Sequence, residues 1–233
     1  MRQEDIFSET EANAWFDRNR SSLLAKTREK DLTYQHLSQI IPQLNPKKIL
    51  EIGCGNGYRL NWLAEDFNVT CVGLEPSTNA IQDGKERYQQ TDKLTLLSTK
   101  VTSKFWLEEF NHLFKNNSLD VVIFGHCFYL MSPEIYFLIT YQIDQVLREH
   151  GIIVIFDFDS YPQRRQYQPY KKEQMWSYKM DFSQLFTRNP MYKLIKKDFV
   201  NYEEGLSIGD VHNDCSLSVI RKISKQNAFI EIL

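Results

Sequence analysis

The sequence predicts a doubly wound α/β sheet with a helical extension in front, an irregular lid after the fifth strand and a closing hairpin at the end. Three observations predict it. Five short, near-continuous apolar runs alternate with stretches whose apolar residues recur at helical spacing, as parallel strands covered on both faces require. The first run breaks into glycines at alternate positions and then into a helix. The tail carries two strands that alternate apolar and polar residues, a half-exposed pattern unlike the five before them.

Residues 1–47 read as a helical lead-in. Ser8 and Glu11 have the spacing of a capping box, and Trp15-Phe16 with Leu23-Leu24 offer apolar contacts to hold the segment down. Asp31 starts a stronger helix, with Tyr34, Leu37, Ile40 and Ile41 on one face, ending near Pro42 to Pro46. The core then spans residues 48–159. Its strands are expected at residues 49–52, 70–74, 94–97, 119–124 and 152–156. Between the last two, Ser132-Pro133-Glu134 opens a helix through Tyr136, Ile139, Ile143 and Leu147 to a glycine stop at Gly151. Phe105 to Phe110 suggests an extra helix at the sheet edge. Residues 160–190 form the lid and residues 191–222 the closing hairpin, so one domain covers 1–233.

The bulk properties bound the partners. A chain of 233 residues with 42% hydrophobic and 13% aromatic content can bury one good-sized core. A net charge of −2 speaks against general nucleic-acid or membrane binding. No apolar run approaches a membrane span, and Met1-Arg2-Gln3-Glu4-Asp5 lacks the regions of a signal peptide, so a cytoplasmic protein is expected. The four cysteines are scattered without a C-x-x-C pair, which favours free thiols over disulfides or a metal site.

The chemistry begins at Ile49-Leu50-Glu51-Ile52-Gly53-Cys54-Gly55-Asn56-Gly57-Tyr58. Strand, glycine turn and helix follow one another, a geometry that brings backbone N–H groups close to a nucleoside or anion. A dinucleotide fingerprint needs a glycine where Tyr58 stands, and Glu51 would repel a pyrophosphate. The same carboxylate suits an ammonium group. A nucleoside joined to an amino acid, without phosphate, satisfies both observations, and S-adenosyl-L-methionine is that ligand. Glu51-x-Gly53-x-Gly55-x-Gly57 resembles the first motif of class I S-adenosylmethionine-dependent methyltransferases. Glu75 ends the second strand about twenty residues past the glycines, where an acidic residue can take both ribose hydroxyls; it can equally cap the helix that Pro76-Ser77 opens.

The resemblance covers roughly residues 45–222 and implies a Rossmann-like, seven-stranded, mostly parallel sheet with a reversed last strand. It implies cofactor contacts from Glu51, Gly53, Cys54, Gly55, Gly57, Glu75 and Pro76, and helices of the lead-in lying over the cleft. Arg18 or Arg20 could then meet the cofactor's carboxylate, or simply face solvent. Many relatives carry an acidic residue after the third strand for the adenine amino group. Here Ser98-Thr99-Lys100-Val101-Thr102 offers none. His126 follows the fourth strand, where the resembling enzymes place groups between cofactor and acceptor; it is either a general base or a pocket-lining residue.

Acceptor binding is expected from Asp157, at the end of the fifth strand, and from Arg164, Arg165, Tyr170 and Trp176 in the lid, where cations interleave with aromatics and no strand or helix period is evident. A solvated loop packing its aromatics on the core is the plain alternative. The chain also resembles bacterial methyltransferases associated with sugar or surface-polysaccharide modification. The expected function is methyl transfer, without a metal, to a small acceptor such as a sugar or nucleotide-sugar. The alternatives are an RNA methyltransferase and a non-catalytic cofactor-binding partner subunit. Oligomeric state, and the choice of oxygen, nitrogen or carbon as acceptor atom, stay open.

Overall fold

The computed structural model describes residues 3–88, 92–100, 110, 112–167, 175–201 and 214–229. The five apolar runs become β1 (Lys48–Ile52), β2 (Thr70–Glu75), β3 (Leu94–Ser98), β4 (Leu119–Gly125) and β5 (Leu147–Phe158). They join β8 (Tyr192–Asn201) and β9 (Asp214–Lys222) in a seven-stranded sheet of order β3-β2-β1-β4-β5-β9-β8. Neighbours among β1 to β5 are parallel, and β9 runs antiparallel to both β5 and β8. The last strand is therefore the single reversed one in the sheet.

Alternation along the strands explains why both faces are apolar. Leu50, Ile52, Val72, Leu74, Val122, Phe124, Ile153 and Ile155 point to one face, and Ile49, Cys71, Val121, Ile123, Ile152 and Val154 to the other. The first face is covered by Ile139 and Ile143 of a helix over Tyr136–Val146 and by Phe182 and Phe186. The second is covered by Leu37 and Ile41 of α3 (Leu32–Leu44), Leu60 and Leu63 of α4 (Tyr58–Phe67) and Ile81 of α5 (Thr78–Arg87). The helix over Tyr136–Val146 is α6. Each fully buried aliphatic side chain of this kind contributes about 1.5–3 kcal/mol, which makes these two layers the main stabilising element of the chain.

Several local expectations are corrected. The lead-in helix starts well before Ser8: α1 (Gln3–Ile6) passes through a π turn at Phe7–Glu11 into α2 (Ala12–Leu24). Ser8 donates its hydroxyl to the Asp5 carbonyl and Glu11 accepts from Arg18, so neither caps a helix start. Helix α3 ends within the expected Pro42 to Pro46 stretch, passing through Pro42 and stopping at Asn45, whose left-handed backbone (φ 45°) ends it. Helix α6 ends at Val146 rather than at Gly151. The chain turns into β5 at once, because Leu147 is already paired with Leu119, and the four following residues bulge before Val121 pairs with Ile152.

Among the described residues the lid is not irregular. Arg164–Tyr167 (β6) and Trp176–Lys179 (β7) form an antiparallel ribbon in which Arg165 faces Tyr178 and Tyr167 faces Trp176. The guanidinium of Arg165 stacks 3.8 Å over the Trp176 ring, so the cation-aromatic interleaving serves cross-strand packing. Period two was hidden because each strand is only four residues long. Tyr170, residues 105–109 of the helix expected over Phe105 to Phe110, and the loop holding Gly205 and Gly209 lie outside the described residues.

Gly84 of α5 marks the tightest joint behind the glycine turn. A Cβ there would stand 2.2 Å from the Asn56 carbonyl oxygen and 2.7 Å from Leu96. Gly84→Ala improves helix propensity, yet it should lower stability by about 1–3 kcal/mol through overpacking. A urea midpoint equal to or above that of the parent protein would contradict this close approach.

Candidate active site

The carboxyl ends of β1, β2 and β4 open onto a cleft of about 670 Å³. Its floor is the glycine turn, where Gly53, Gly55 and Gly57 have φ of 71°, 57° and 78°. A side chain at Gly53 would meet Cys127 at 2.8 Å and one at Gly57 would meet Leu96 at 2.6 Å. At Gly55 the nearest atom is 3.8 Å away on Leu23, so there the backbone itself faces the open cleft. Cys54 fills the space behind the turn, with Sγ 2.6 Å from where a Gly73 Cβ would stand. The roof comes from the lead-in: Glu4, Phe7, Trp15, Leu23, Lys26 and Asp31 line the same cleft.

Three charged side chains are buried in series beside the turn. Arg59 donates Nη1 to Glu51, and it holds Asp31 with two bonds, Nη2 to Oδ2 at 2.8 Å and Nε to Oδ1 at 3.0 Å. Asp31 also accepts from the Tyr58 hydroxyl at 2.8 Å and from the Tyr34 N–H at 2.7 Å, capping α3. Burial drives the Glu51 carboxyl up to about 7 against the opposing pull of Arg59. Glu51 Oε2 is buried and has no hydrogen-bond partner among the described residues. Arg59 was missed from sequence. Its signal was a cation in the first turn of α4, where the helix dipole disfavours positive charge unless carboxylates compensate.

Glu75 ends β2 with Oε2 accepting from the Gly55 N–H (3.1 Å) and Oε1 from the Ser77 N–H (2.9 Å). The cap of α5 is Ser77 instead, whose hydroxyl accepts from the Ala80 N–H at 3.1 Å. Burial raises the Glu75 carboxyl to about 7. Each of its oxygens keeps a lone pair, and both Glu75 and Pro76 line the cleft.

His126 also lines the cleft, in a left-handed conformation (φ 51°) and edge-on to Phe156. Burial, aided by Arg59 and Lys26, lowers its pKa to about 3, so the ring is neutral through the physiological range. Asp157 does not line the cleft. It is buried and accepts from the N–H groups of Phe158 (2.8 Å) and Tyr129 (3.4 Å), pinning the loop after β4. Arg164 and Arg165 line a separate cavity of about 390 Å³ beside the ribbon, and Trp176 lies under Arg165. Arg18 pairs with Glu11 and Arg20 with Asp83, so the cations on the cleft wall are Lys26, Lys30, Arg59 and Lys100.

Residues 50–155, which carry the glycine turn, Glu75 and His126, match the family model of a methyltransferase domain. Those residues carry an S-adenosylmethionine-dependent methyltransferase domain. Its fold is similar to that of the Burkholderia thailandensis 1,6-didemethyltoxoflavin-N1-methyltransferase solved with 1,6-didemethyltoxoflavin and S-adenosylhomocysteine. That likeness has a TM-score of 0.65 at 13% identity, covering 91% of this chain and 85% of that one. The N-methyltransferase NodS from Bradyrhizobium japonicum, solved with S-adenosylhomocysteine, gives 0.60 at 13% identity over 91% and 99% of the two chains. An S-adenosylmethionine-dependent methyltransferase from Mesorhizobium loti gives 0.59 at 11% identity over 84% and 100%. No curated protein sequence matches the chain. Among the described residues, no helix is long and apolar enough to cross a membrane.

The buried series gives this methyltransferase a pH-dependent stability. The folded state holds the Glu51 proton with a pKa of about 7 against an ordinary value of 4.5, so the folded form binds more protons than the unfolded chain between those values. Stability from this group is fully present below about 4.5 and is lost as pH rises through 7. Arg59→Met leaves two buried carboxylates without their cation and should cost about 3–5 kcal/mol at pH 8. The loss should shrink at pH 5, where the acids can be buried neutral. Equal urea midpoints for variant and parent at pH 8 would remove the series from the account of stability.

Proposed function

We propose that the cleft binds S-adenosylmethionine with Glu51 facing the ammonium, the Gly53 to Gly57 turn against the methionine chain, and Glu75 on the ribose hydroxyls. The observation that carries this reading is the unpartnered, buried Oε2 of Glu51 at the glycine turn. A buried carboxylate oxygen without a donor is costly, and an ammonium supplies both the charge and the hydrogen bond. Glu75 fits the ribose for a second reason. The competing role, capping α5, is filled by Ser77.

The cofactor supplies an already activated methyl group, so the protein's work is alignment and exclusion of water. Arg59 keeps Glu51 in place from behind the turn, and the lead-in covers the cleft from above. His126 is best read as part of the wall, since a ring with pKa about 3 takes up little proton at neutral pH. The acceptor is a small molecule entering the same cleft, whose volume falls in the range of about 300–1,000 Å³ typical of ligand sites. The sugar or nucleotide-sugar reading drew on Arg164, Arg165 and Trp176, none of which lines this cleft, and the two arginines line the neighbouring cavity instead. An RNA acceptor finds little favour on a wall where Lys26, Lys30 and Lys100 alternate with Glu4, Glu29, Asp31 and Glu51.

Two measurements test the cofactor assignment. Charged hydrogen bonds contribute about 1.5–3 kcal/mol each, so Glu75→Ala should weaken S-adenosylhomocysteine binding by roughly 30-fold to 1,000-fold in calorimetry. Unaltered affinity in a destabilised variant would take Glu75 out of the site. Affinity should also follow the Glu51 proton. One carboxylate that titrates near 7 when free and stays ionised in the complex gives about a fivefold gain from pH 6 to pH 7, and affinity declines again above about 8 as the ligand's α-amino group deprotonates. Glu51→Gln should remove its share of the acid limb; an unchanged profile would place the ammonium elsewhere.

A further inference from the structure

The cleft holds a further buried carboxylate that the cofactor reading leaves unused. Glu4 of α1 lines it with 5% of its surface exposed. Its Oε1 accepts from both the N–H and the hydroxyl of Ser132, while its Oε2 has no hydrogen-bond partner among the described residues. This is the same condition that marks Glu51, on a different wall.

The placement of Glu4 is built rather than incidental. Gln3 docks on the ribbon like a neighbouring strand, with Nε2 to the Trp176 carbonyl at 2.8 Å and the Trp176 N–H to Oε1 at 2.8 Å, and Nε2 also reaches the Leu130 carbonyl at 2.6 Å. Asp5 pairs with Lys100 at 2.6 Å. Three consecutive side chains thus fasten α1 across the cleft. The partner of Glu4, Ser132, follows β4, whereas Glu75 ends β2, and β1 lies between those strands in the sheet. Glu4 therefore stands on the far side of the glycine turn from Glu75, beside Leu130 and Met131 of the wall.

We propose that Glu4 recognises the methyl acceptor and selects an amine. A desolvated carboxylate oxygen without a donor is best satisfied by a nitrogen that brings N–H and positive charge together. Before attack the bound ammonium must release one proton, which Glu4 relays to water, a step that costs far less for an ammonium than for an alcohol. The freed nitrogen lone pair then forms the new N–C bond as the S–C bond breaks and its electron pair stays on sulfur, leaving a thioether. The product keeps its positive charge as the methylated ammonium. Apolar Phe7, Leu130 and Met131 make the same end of the cleft unfavourable for an acidic acceptor.

This inference rests on the methyl-transfer reading, and the test separates the two. Primary and secondary amines, alcohols and carboxylic acids of matched size would be offered to the protein with isotopically labelled methyl donor. Binding of each amine to the S-adenosylhomocysteine complex would be followed by calorimetry. Amines alone should be methylated. Glu4→Gln keeps an acceptor for Ser132, so it should fold with an unchanged urea midpoint and bind S-adenosylhomocysteine within about twofold of the parent. It should lose about 100-fold in amine kcat/KM and at least tenfold in amine binding. Methylation of amines by Glu4→Gln at the parent rate, or of alcohols or acids in their place, would overturn the proposal. Loss of S-adenosylhomocysteine affinity in Glu4→Gln would overturn it too, by assigning Glu4 to the cofactor. Failure of the parent protein itself to bind S-adenosylhomocysteine would overturn the cofactor reading and this proposal together.

Discussion

The Asp31–Arg59–Glu51 series is the constraint on which the rest of the site depends. A carboxylate beneath the glycine turn suits an ammonium ligand, yet burying it alone would cost several kcal/mol. Arg59 offsets part of that cost from behind, while Asp31 orients the guanidinium and caps α3, so the ionised trio keeps an excess negative charge that an ammonium can neutralise. The series therefore joins three elements in one low-dielectric unit: the end of β1, the first turn of α4 and the start of α3. A ligand charge met by Glu51 is felt at the root of the helices that cover the cleft.

The same economy recurs at the other strand ends. Glu75 and Asp157 are both buried carboxylates that accept backbone N–H groups from neighbouring loops, and both are pushed up to about 7 by burial. One faces the cleft and the other does not. Glu75 holds Gly55 and so fixes the glycine turn on the cleft floor, whereas Asp157 fixes only the loop after β4. Position along the sheet edge, not residue type, separates a ligand-facing carboxylate from a scaffolding one.

The fold and the glycine-turn end of the cleft were legible because they rest on short-range rules. Apolar runs buried on both faces mark parallel strands, and three glycines at alternate positions mark a turn with φ > 0. Glu75 lies one strand further along at a distance set by a single βαβ unit. The acceptor end was not legible in this way. The cations and aromatics of residues 164–179 suggested a binding surface, but pairing across the ribbon turns Arg165 onto Trp176 and Tyr178. Glu4, in a segment that gave no sequence signal, reaches the cleft only because Gln3, Ser132 and Lys100 hold α1 there.

By itself the sequence determined the alternation of the five core strands with their helices and the presence of a carboxylate-flanked glycine turn, while the reversed last strand came from the family resemblance. The first two follow from hydrophobic period and backbone sterics, which act within a few residues of one another. Tertiary structure alone decided which charges are buried, which of them neutralise one another and which face the cleft. Those choices depend on desolvation and on partners as distant as Asp31 from Arg59 or Glu4 from Ser132, and no local pattern encodes them.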